Sequence, residues 1–365
     1  MVESSQLPEG TIRLSVEHVT SFVSAVFTAH GVAEDDATLV ADVLVSADLR
    51  GVRSHGVARL PYFSSRLERG VINATPAISF EQHSSTTCSV DADNGLGVVA
   101  SARAVDATIV MALEHGSGFA AVAHSNHFGY AGYWAVRAMR HGLIGIAMAN
   151  SGRRVTPTFG VQSLLGTNPL AIAIPGGDEG TDFLLDMATS TVAVGKIETA
   201  LREDRPIPPG WVSEAGATPE LDEWGSLTYA APLLPLGGEG EAGGGHKGYG
   251  LALMVELLCG ALAGTALKAR LDGAGGASAS EMGQFFGAIR IDGFRAVEDV
   301  QADMASTFDT LRSATKAPGR NRVFIHGEPE TMAEQENLCV GIPVTPALME
   351  QMHQLNTQLG LGFEL

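Results

Sequence analysis

The stretch AVAHSNHFGYAGYWAVRAMRHGLIGIAMANSGRRVTPTFGVQSLLGTNPLAIAIP, residues 121–175, constrains what this chain can fold into more than any other. Two apolar runs of strand length, AAVA and LIGIAMA, flank a helix-length segment from Gly129 to His141. A histidine pair, arginines, glycines and a Gly-Thr-Asn-Pro turn crowd the points where the runs end. Strand and helix alternating, with polar groups at the strand ends, is the pattern of an α/β domain and of its ligand cleft.

Helical patterns come before it. Ser15 is placed as an N-cap, Val16, Val19, Phe22, Val23, Val26 and Phe27 recur at helical spacing, and Gly31 stops the helix. Glu34, Asp35 and Asp36 suit the start of a second helix, which runs out at Asp48-Leu49-Arg50-Gly51. A third is expected from Val57 to Leu67. From Pro76 the pattern turns to short strands, ISFEQ and TTCSVDA, then a helix from Gly95 to Gly116 and the strand FAAVAHS. Beyond the central stretch, FLLDMA reads as a buried strand and Thr189–Arg202 as a helix. Residues 203–247, rich in Pro and Gly, read as a long irregular excursion, and such loops inside a domain are usually functional. A helix over Tyr249–Gly264, a strand over Phe285–Ile291, an acidic helix over Val297–Ser313 and an amphipathic helix after Pro343 complete the reading. The expected division is a helical module, 1–75 completed by 330–365, around an α/β domain, 76–329.

The net charge of −18 argues against nucleic acid and anionic membrane surfaces as partners, so an anionic substrate needs local Arg or Lys groups. Cys88, Cys259 and Cys339 are scattered and odd in number, which makes a reducing cytoplasm the expected compartment. The longest apolar run, Tyr249–Ala266, is broken by Glu256 and reads as buried helix, not a membrane span.

Five constellations carry possible chemistry. In Ser54-His55-Gly56, followed by Arg59, the guanidinium suits a carboxylate and the imidazole a proton transfer, with Ser54 hydrogen-bonding the ring. The alternative is a surface turn with a capping serine. His124 and His127 stand three apart, a spacing open to metal ligation, a structural role or acid/base work, and no third ligand follows at a familiar distance. A helix opening at Phe128-Gly129 would offer free backbone N–H groups to an anion. Asn94-Gly95-Leu96-Gly97-Val98-Val99-Ala100 fits a dinucleotide fingerprint, but the polar run before it is wrong for a buried parallel strand. Gly243-Gly244-Gly245-His246-Lys247-Gly248 reads either as a phosphate cradle or as a linker. Asp186 ends an apolar strand, suited to a ribose hydroxyl or a carboxamide, and Thr189 or Ser190 could cap the next helix.

Six blocks in one order, ADLRGVRSHGVARLPYF, SNHFGYAGYWA, LGTNPLAIAIP, LLDMATSTVAVGKIETA, IPPGW and GHKGYGLALMVELL, resemble the type 2 malate/L-lactate dehydrogenase family, also called sulfolactate dehydrogenase-like, over about residues 12–345. The resemblance implies a non-Rossmann α/β fold with a large mixed sheet, and a homodimer with clefts near the subunit interface. It also implies NAD(P)-dependent interconversion of small 2-hydroxy and 2-oxo acids, with NAD ahead of NADP and no metal. On that basis Gly95–Ala100 is a decoy. By motif, His127 is the expected acid/base, with His55 supporting it or exchanging roles and Ser54 beside it. Arg59 and Thr167 contact the substrate. Ser151, Asp186, Met187, Ala188, Lys247, Gly248, Gly327 and Glu328 contact the coenzyme. Relatives that reduce cyclic imines carry Asp after the Gly of the A-x-G block, where this chain has Lys196, which counts against that chemistry. A catalytically silent nucleotide-binding protein is the alternative of another class, and the intact set of histidines, Arg59 and Lys247 argues against it.

Overall fold

The computed structural model describes residues 7–177, 182–202, 204–214, 216, 218–221, 227, 232–265 and 282–365. A short strand β1 (Ile12–Leu14) leads into helices α1 (Val16–Ala29), α2 (Glu34–Leu49) and α3 (Leu60–Glu68). Ser15 caps α1 by accepting the His18 N–H at 3.2 Å, an interaction worth about 1 kcal/mol. The third helix starts later than its apolar pattern suggests, after two turns of 3₁₀ helix at Arg53–His55 and Val57–Arg59. Pro61 explains the delay, because it has no N–H to close an α-turn onto the Val57 carbonyl.

The body of the molecule is a seven-stranded sheet of β2 (Ser79–Ser84), β3 (Thr87–Asp91), β4 (Ser117–Ser125), β5 (Leu143–Ala149), β6 (Leu170–Ile174), β7 (Phe183–Met187) and β8 (Met282–Arg290). Its order is β2-β3-β4-β8-β5-β6-β7, with β3 and β4 parallel and every other neighbouring pair antiparallel. This is the large mixed sheet that the sequence blocks imply.

Alternation along the strands divides the apolar side chains between two faces. Ala147, Phe286 and Ala288 join a core with α4 (Gly97–His115), α5 (Ala131–Met139), α1 and α2. Met148, Leu170, Val255 and Cys259 form another, with Ile146, Ile172 and Phe285 packed against it, under α7 (Gly245–Glu256) and the π-helical turn Leu257–Ala261. Two strand glycines set how closely the first layer sits. A Cβ on Gly118 would lie 2.2 Å from the Thr108 carbonyl oxygen of α4, and one on Gly145 would lie 2.0 Å from the Ala135 carbonyl oxygen of α5. Helix backbone therefore rests directly on strand backbone.

After β8 come α8 (Val297–Ser313), as read from the sequence, and α9 (Glu328–Val340), which the sequence reading missed. The chain ends with β9 (Ile342–Val344) and α10 (Pro346–Leu359). β1 pairs antiparallel with β9, Arg13 opposite Pro343, so the two chain ends meet.

Helix α6 is Val194–Arg202, five residues shorter at its start than Thr189–Arg202. Thr189 and Thr191 are bonded to neighbouring loops instead, their amides donating to the Thr167 and Leu234 carbonyls at 2.9 Å each. Helix α7 begins at Gly245, four residues before Tyr249, so Lys247 and Gly248 belong to its first turn. Parts of the 203–247 excursion lie outside the described residues.

Candidate active site

The Ser54-His55-Gly56 loop and the Asn126-His127 loop meet at a cleft. The His55 and His127 rings lie 5.6 Å apart, inclined by 30°. Tyr62 and Phe63, on the first turn of α3, stand edge-on to His127 at 6.0 and 5.8 Å. The neighbouring loop is held by its own bonds: Ser54 Oγ lies 2.9 Å from His55 Nδ1, and Arg59 Nε donates to the Ser54 carbonyl at 2.6 Å. His127 Nδ1 accepts the Gly129 N–H at 3.2 Å, which puts the proton of the neutral ring on Nε2. Burial pushes His55 down to about 3, with Arg59 adding to the effect. Burial also holds His127 well below its ordinary value, helped by His55 and Arg59. Both imidazoles are therefore neutral at working pH.

His124, the other member of the sequence pair, turns away. It lies on the surface with φ +50°, its Nδ1 3.1 Å from an Asp91 carboxylate oxygen. A Cβ on Gly97 would fall 1.9 Å from the Asn126 carbonyl oxygen, and the Asn126 side chain donates to the carbonyls of Asn94 and Gly95. Gly97 of the false fingerprint thus admits the histidine loop, while Gly95 makes room for Pro76.

Helix α5 starts two residues beyond the expected Gly129, and the anion at its N-terminus is supplied by the protein. Asp186 accepts the Gly132 N–H at 2.8 Å. Asp186 is open to water at the end of β7, yet enough protein surrounds it that burial, seconded by Glu330, lifts its carboxyl to about 6 against the pull of Gly132 and Arg50. Met187 and Ala188 follow it, half-buried. Thr189 and Ser190 do not cap α6. Thr189 Oγ1 donates to the carbonyls of Thr167 and Asn168, and Ser190 Oγ to that of Val192.

Ser151 and Thr167 form one unit. Ser151 Oγ accepts the Thr167 N–H at 3.0 Å and lies 3.2 Å from Thr167 Oγ1. Behind them is a buried frame that the sequence reading left without a role. Glu256, 1% exposed, accepts from the side-chain amides of Asn150 and Asn168 at 3.1 and 3.0 Å. Asn168 also accepts the Ser151 N–H and donates to the Ala252 carbonyl, tying the Gly-Thr-Asn-Pro turn to α7. The signal in the sequence was Glu256 itself, a charge inside an apolar helix.

At the head of α7 the glycines serve the fold. The amides of Gly244, His246 and Lys247 donate to the Glu241, Gly240 and Gly244 carbonyls, and a Cβ on Gly248 would lie 2.2 Å from the Leu236 carbonyl oxygen. The Lys247 ammonium, exposed and in no ion pair among the described residues, is what the segment offers a diphosphate. Gly327, φ +98°, precedes α9, and the His326 carbonyl accepts from Leu184 of β7. The Glu328 carboxylate is held by Arg312 at 2.7 Å and Arg322 at 3.1 Å and accepts the Ile325 N–H, so its charge is already met by protein. Asp186 with one oxygen committed to α5, the Ser151–Thr167 pair and Lys247, in no ion pair among the described residues, are donor and acceptor types of the kind a nicotinamide dinucleotide needs.

Comparison with known proteins agrees over the whole length. The sequence profile of the malate/L-lactate dehydrogenase family matches residues 14–353. The malate dehydrogenase of Pyrococcus abyssi is 38% identical over 100% of both chains. The L-sulfolactate dehydrogenase of Methanocaldococcus jannaschii is 35% identical over 96% of this chain and 98% of its own. The structure of the malate dehydrogenase from Pyrococcus horikoshii OT3 superposes with a TM-score of 0.85 at 37% identity, covering 99% of each chain.

Proposed function

This chain belongs to the malate/L-lactate dehydrogenase family, and from that premise we propose how its cleft moves the proton and holds the acid in a nicotinamide-dependent 2-hydroxy acid dehydrogenase. The observation that carries the reading is the pair of imidazoles whose rings lie 5.6 Å apart beside Arg59. Arg59 has Nε tied to Ser54, which leaves its two terminal nitrogens for a substrate carboxylate. Ser54 Oγ lies 2.9 Å from His55 Nδ1 and can accept a proton held there; in that tautomer His55 presents a bare Nε2, which takes the hydroxyl proton when the hydroxy acid is oxidised. His127, with its proton on Nε2, donates a hydrogen bond to the same substrate oxygen. This order of roles reverses the sequence expectation that His127 leads, and the Gly129 N–H bond is its ground. Thr167 completes the substrate contacts.

A bound nicotinamide would supply the hydride acceptor for C2 on oxidation and the hydride donor on reduction. Ser151, Asp186, Met187, Ala188, Lys247, Gly248 and Gly327 would hold that coenzyme, with Glu328 acting through its arginine pairs. NAD is proposed ahead of NADP. A cytoplasmic homodimer, with the cleft near the subunit interface, belongs to the same reading. It is supported by the thiols of Cys88 and Cys259, free and buried, and by Leu253, Met254, Leu257 and Leu262, apolar and exposed along α7 and the turn after it. Among the described residues no helix is long and apolar enough to cross a membrane. The division into a helical module (1–75 with 330–365) and an α/β body (76–329) is likewise proposed, with the β1–β9 pairing as its support.

The test is oxidation of NADH and NADPH, followed at the nicotinamide absorbance band, with oxaloacetate, pyruvate, 3-sulfopyruvate, glyoxylate derivatives and piperideine-2-carboxylate. Turnover of a 2-oxo acid, lost in His55→Gln and only weakened in His127→Gln, is the expected result. Turnover of the cyclic imine alone would overturn it.

A further inference from the structure

Asp48 is a carboxylate in an unfavourable place. It sits in the last turn of α2, where the helix presents carbonyl oxygens, and it is 2% exposed. Burial lifts its carboxyl to about 7, against the Val57 N–H and Arg53. A stabilising residue at this position would be apolar or basic. The return is local: Asp48 Oδ2 accepts the Val57 N–H at 2.8 Å, the amide that joins the His55 turn to the Arg59 turn. Space for that bond exists because residue 56 is glycine, whose Cβ would lie 2.3 Å from all three carboxylate atoms.

Among the described residues, few charged groups act on Asp48. Arg53 faces it from the loop, with a buried Nε that has no partner among the described residues, and Arg13 of β1 lies beyond, opposing Arg53. From α9 the neutral Asn337 side chain donates to the Leu49 carbonyl and accepts from Arg13.

We infer that Asp48 is the positioning residue of the site, holding the Ser54–Arg59 loop so that His55 and Arg59 address one substrate; the inference rests on the roles proposed for those two residues. With the bond gone, the loop keeps its own bonds, His55 N–H to the Val52 carbonyl and Arg59 N–H to the Gly56 carbonyl, and the Val52 N–H stays on the Ala47 carbonyl at its start, but the middle of the loop loses its side-chain bond to α2. A displacement of about 1 Å in a catalytic group lowers turnover on the order of 100-fold.

The experiment compares the full-length protein with Asp48→Ala and Asp48→Asn. Amide hydrogen exchange of residues 52–60 is expected to quicken in Asp48→Ala and to recover in Asp48→Asn, whose Oδ1 can still accept the Val57 N–H. Exchange in 52–60 unchanged by Asp48→Ala overturns the inference, whatever the enzyme does. For the 2-oxo acid that turns over, Asp48→Ala is expected to lower kcat/KM on the order of 100-fold at unchanged coenzyme affinity. Asp48→Asn is expected to restore most of that loss and to remove one ionisation from the pH profile. A wild-type protein that turns over no 2-oxo acid overturns the proposed function and leaves the exchange result to decide Asp48. If Asp48→Ala does not fold, Gly56→Ala, which crowds the same carboxylate, replaces it with the same expected exchange.

Discussion

Arg59 has one of its three nitrogens committed before any ligand arrives, which makes the site sensitive to the shape of its cation and not only to its charge. Lysine offers a point charge that cannot hold Ser54 and a carboxylate together. Arg59→Lys is therefore expected to raise the KM for the 2-oxo acid while leaving coenzyme affinity in place. A charge-assisted hydrogen bond contributes about 1.5–3 kcal/mol, which sets the loss in kcat/KM at about 10–150-fold, read by steady-state kinetics. Arg59, His55 and His127 were legible in the sequence because each sits in a short block whose residue types name their chemistry. Asp48 and Asn168 also lay in the six blocks and were not legible, and Glu256 showed only as a charge inside an apolar helix, without a role. Their work depends on burial and on which amide they face, and neither is written in residue type or spacing.

The same substitution in two helices should have opposite signs. Glycine to alanine inside a helix ordinarily stabilises by about 0.5–1 kcal/mol, because it narrows the unfolded ensemble. Gly250, in α7, meets nothing within 4 Å of a built Cβ, and Gly250→Ala is expected to follow that rule. Gly97→Ala, at the head of α4, pushes against the Asn126 carbonyl at 1.9 Å and is expected to destabilise by about 1–3 kcal/mol. It should also slow turnover by displacing His127. Urea unfolding of both variants, with activity measured alongside, checks the pair. At this scale the sequence told strands from helices well wherever the apolar period was clean, as in β5 and α8. It failed where side chains competed for the backbone, as Thr189 and Thr191 do before α6, and where an exposed helix such as α9 has little apolar face to read.

Over the whole molecule, acids held above and bases held below their ordinary values set opposing pH dependences. Asp48 and Asp186, raised to about 7 and about 6, hold protons in the folded state that the unfolded chain has released, so their contribution is full below about pH 4 and is lost as pH rises through 6–7. His55, pushed down to about 3, and His127, also lowered, do the reverse: the unfolded chain binds their protons, and stability is lost as pH falls below about 6.5. Between about pH 4 and 6.5 the two pairs offset each other, the open Asp186 less than the buried Asp48. A His55→Gln/His127→Gln double variant should unmask the acids, so that its Tm falls with rising pH across this window where the wild-type Tm stays nearly level. Thermal unfolding in a pH series decides it.

The β1–β9 pairing has a consequence for synthesis. α2 and the loop that hangs from it are made early, but Asn337, which holds the end of α2, and the strand that closes over Arg13 are made nearly 300 residues later. The nascent chain can thus assemble much of its sheet while the His55 loop is still unbraced. Shortening the C-terminus before Asn337 would remove that brace from the end of α2, nearly 300 residues upstream in the sequence.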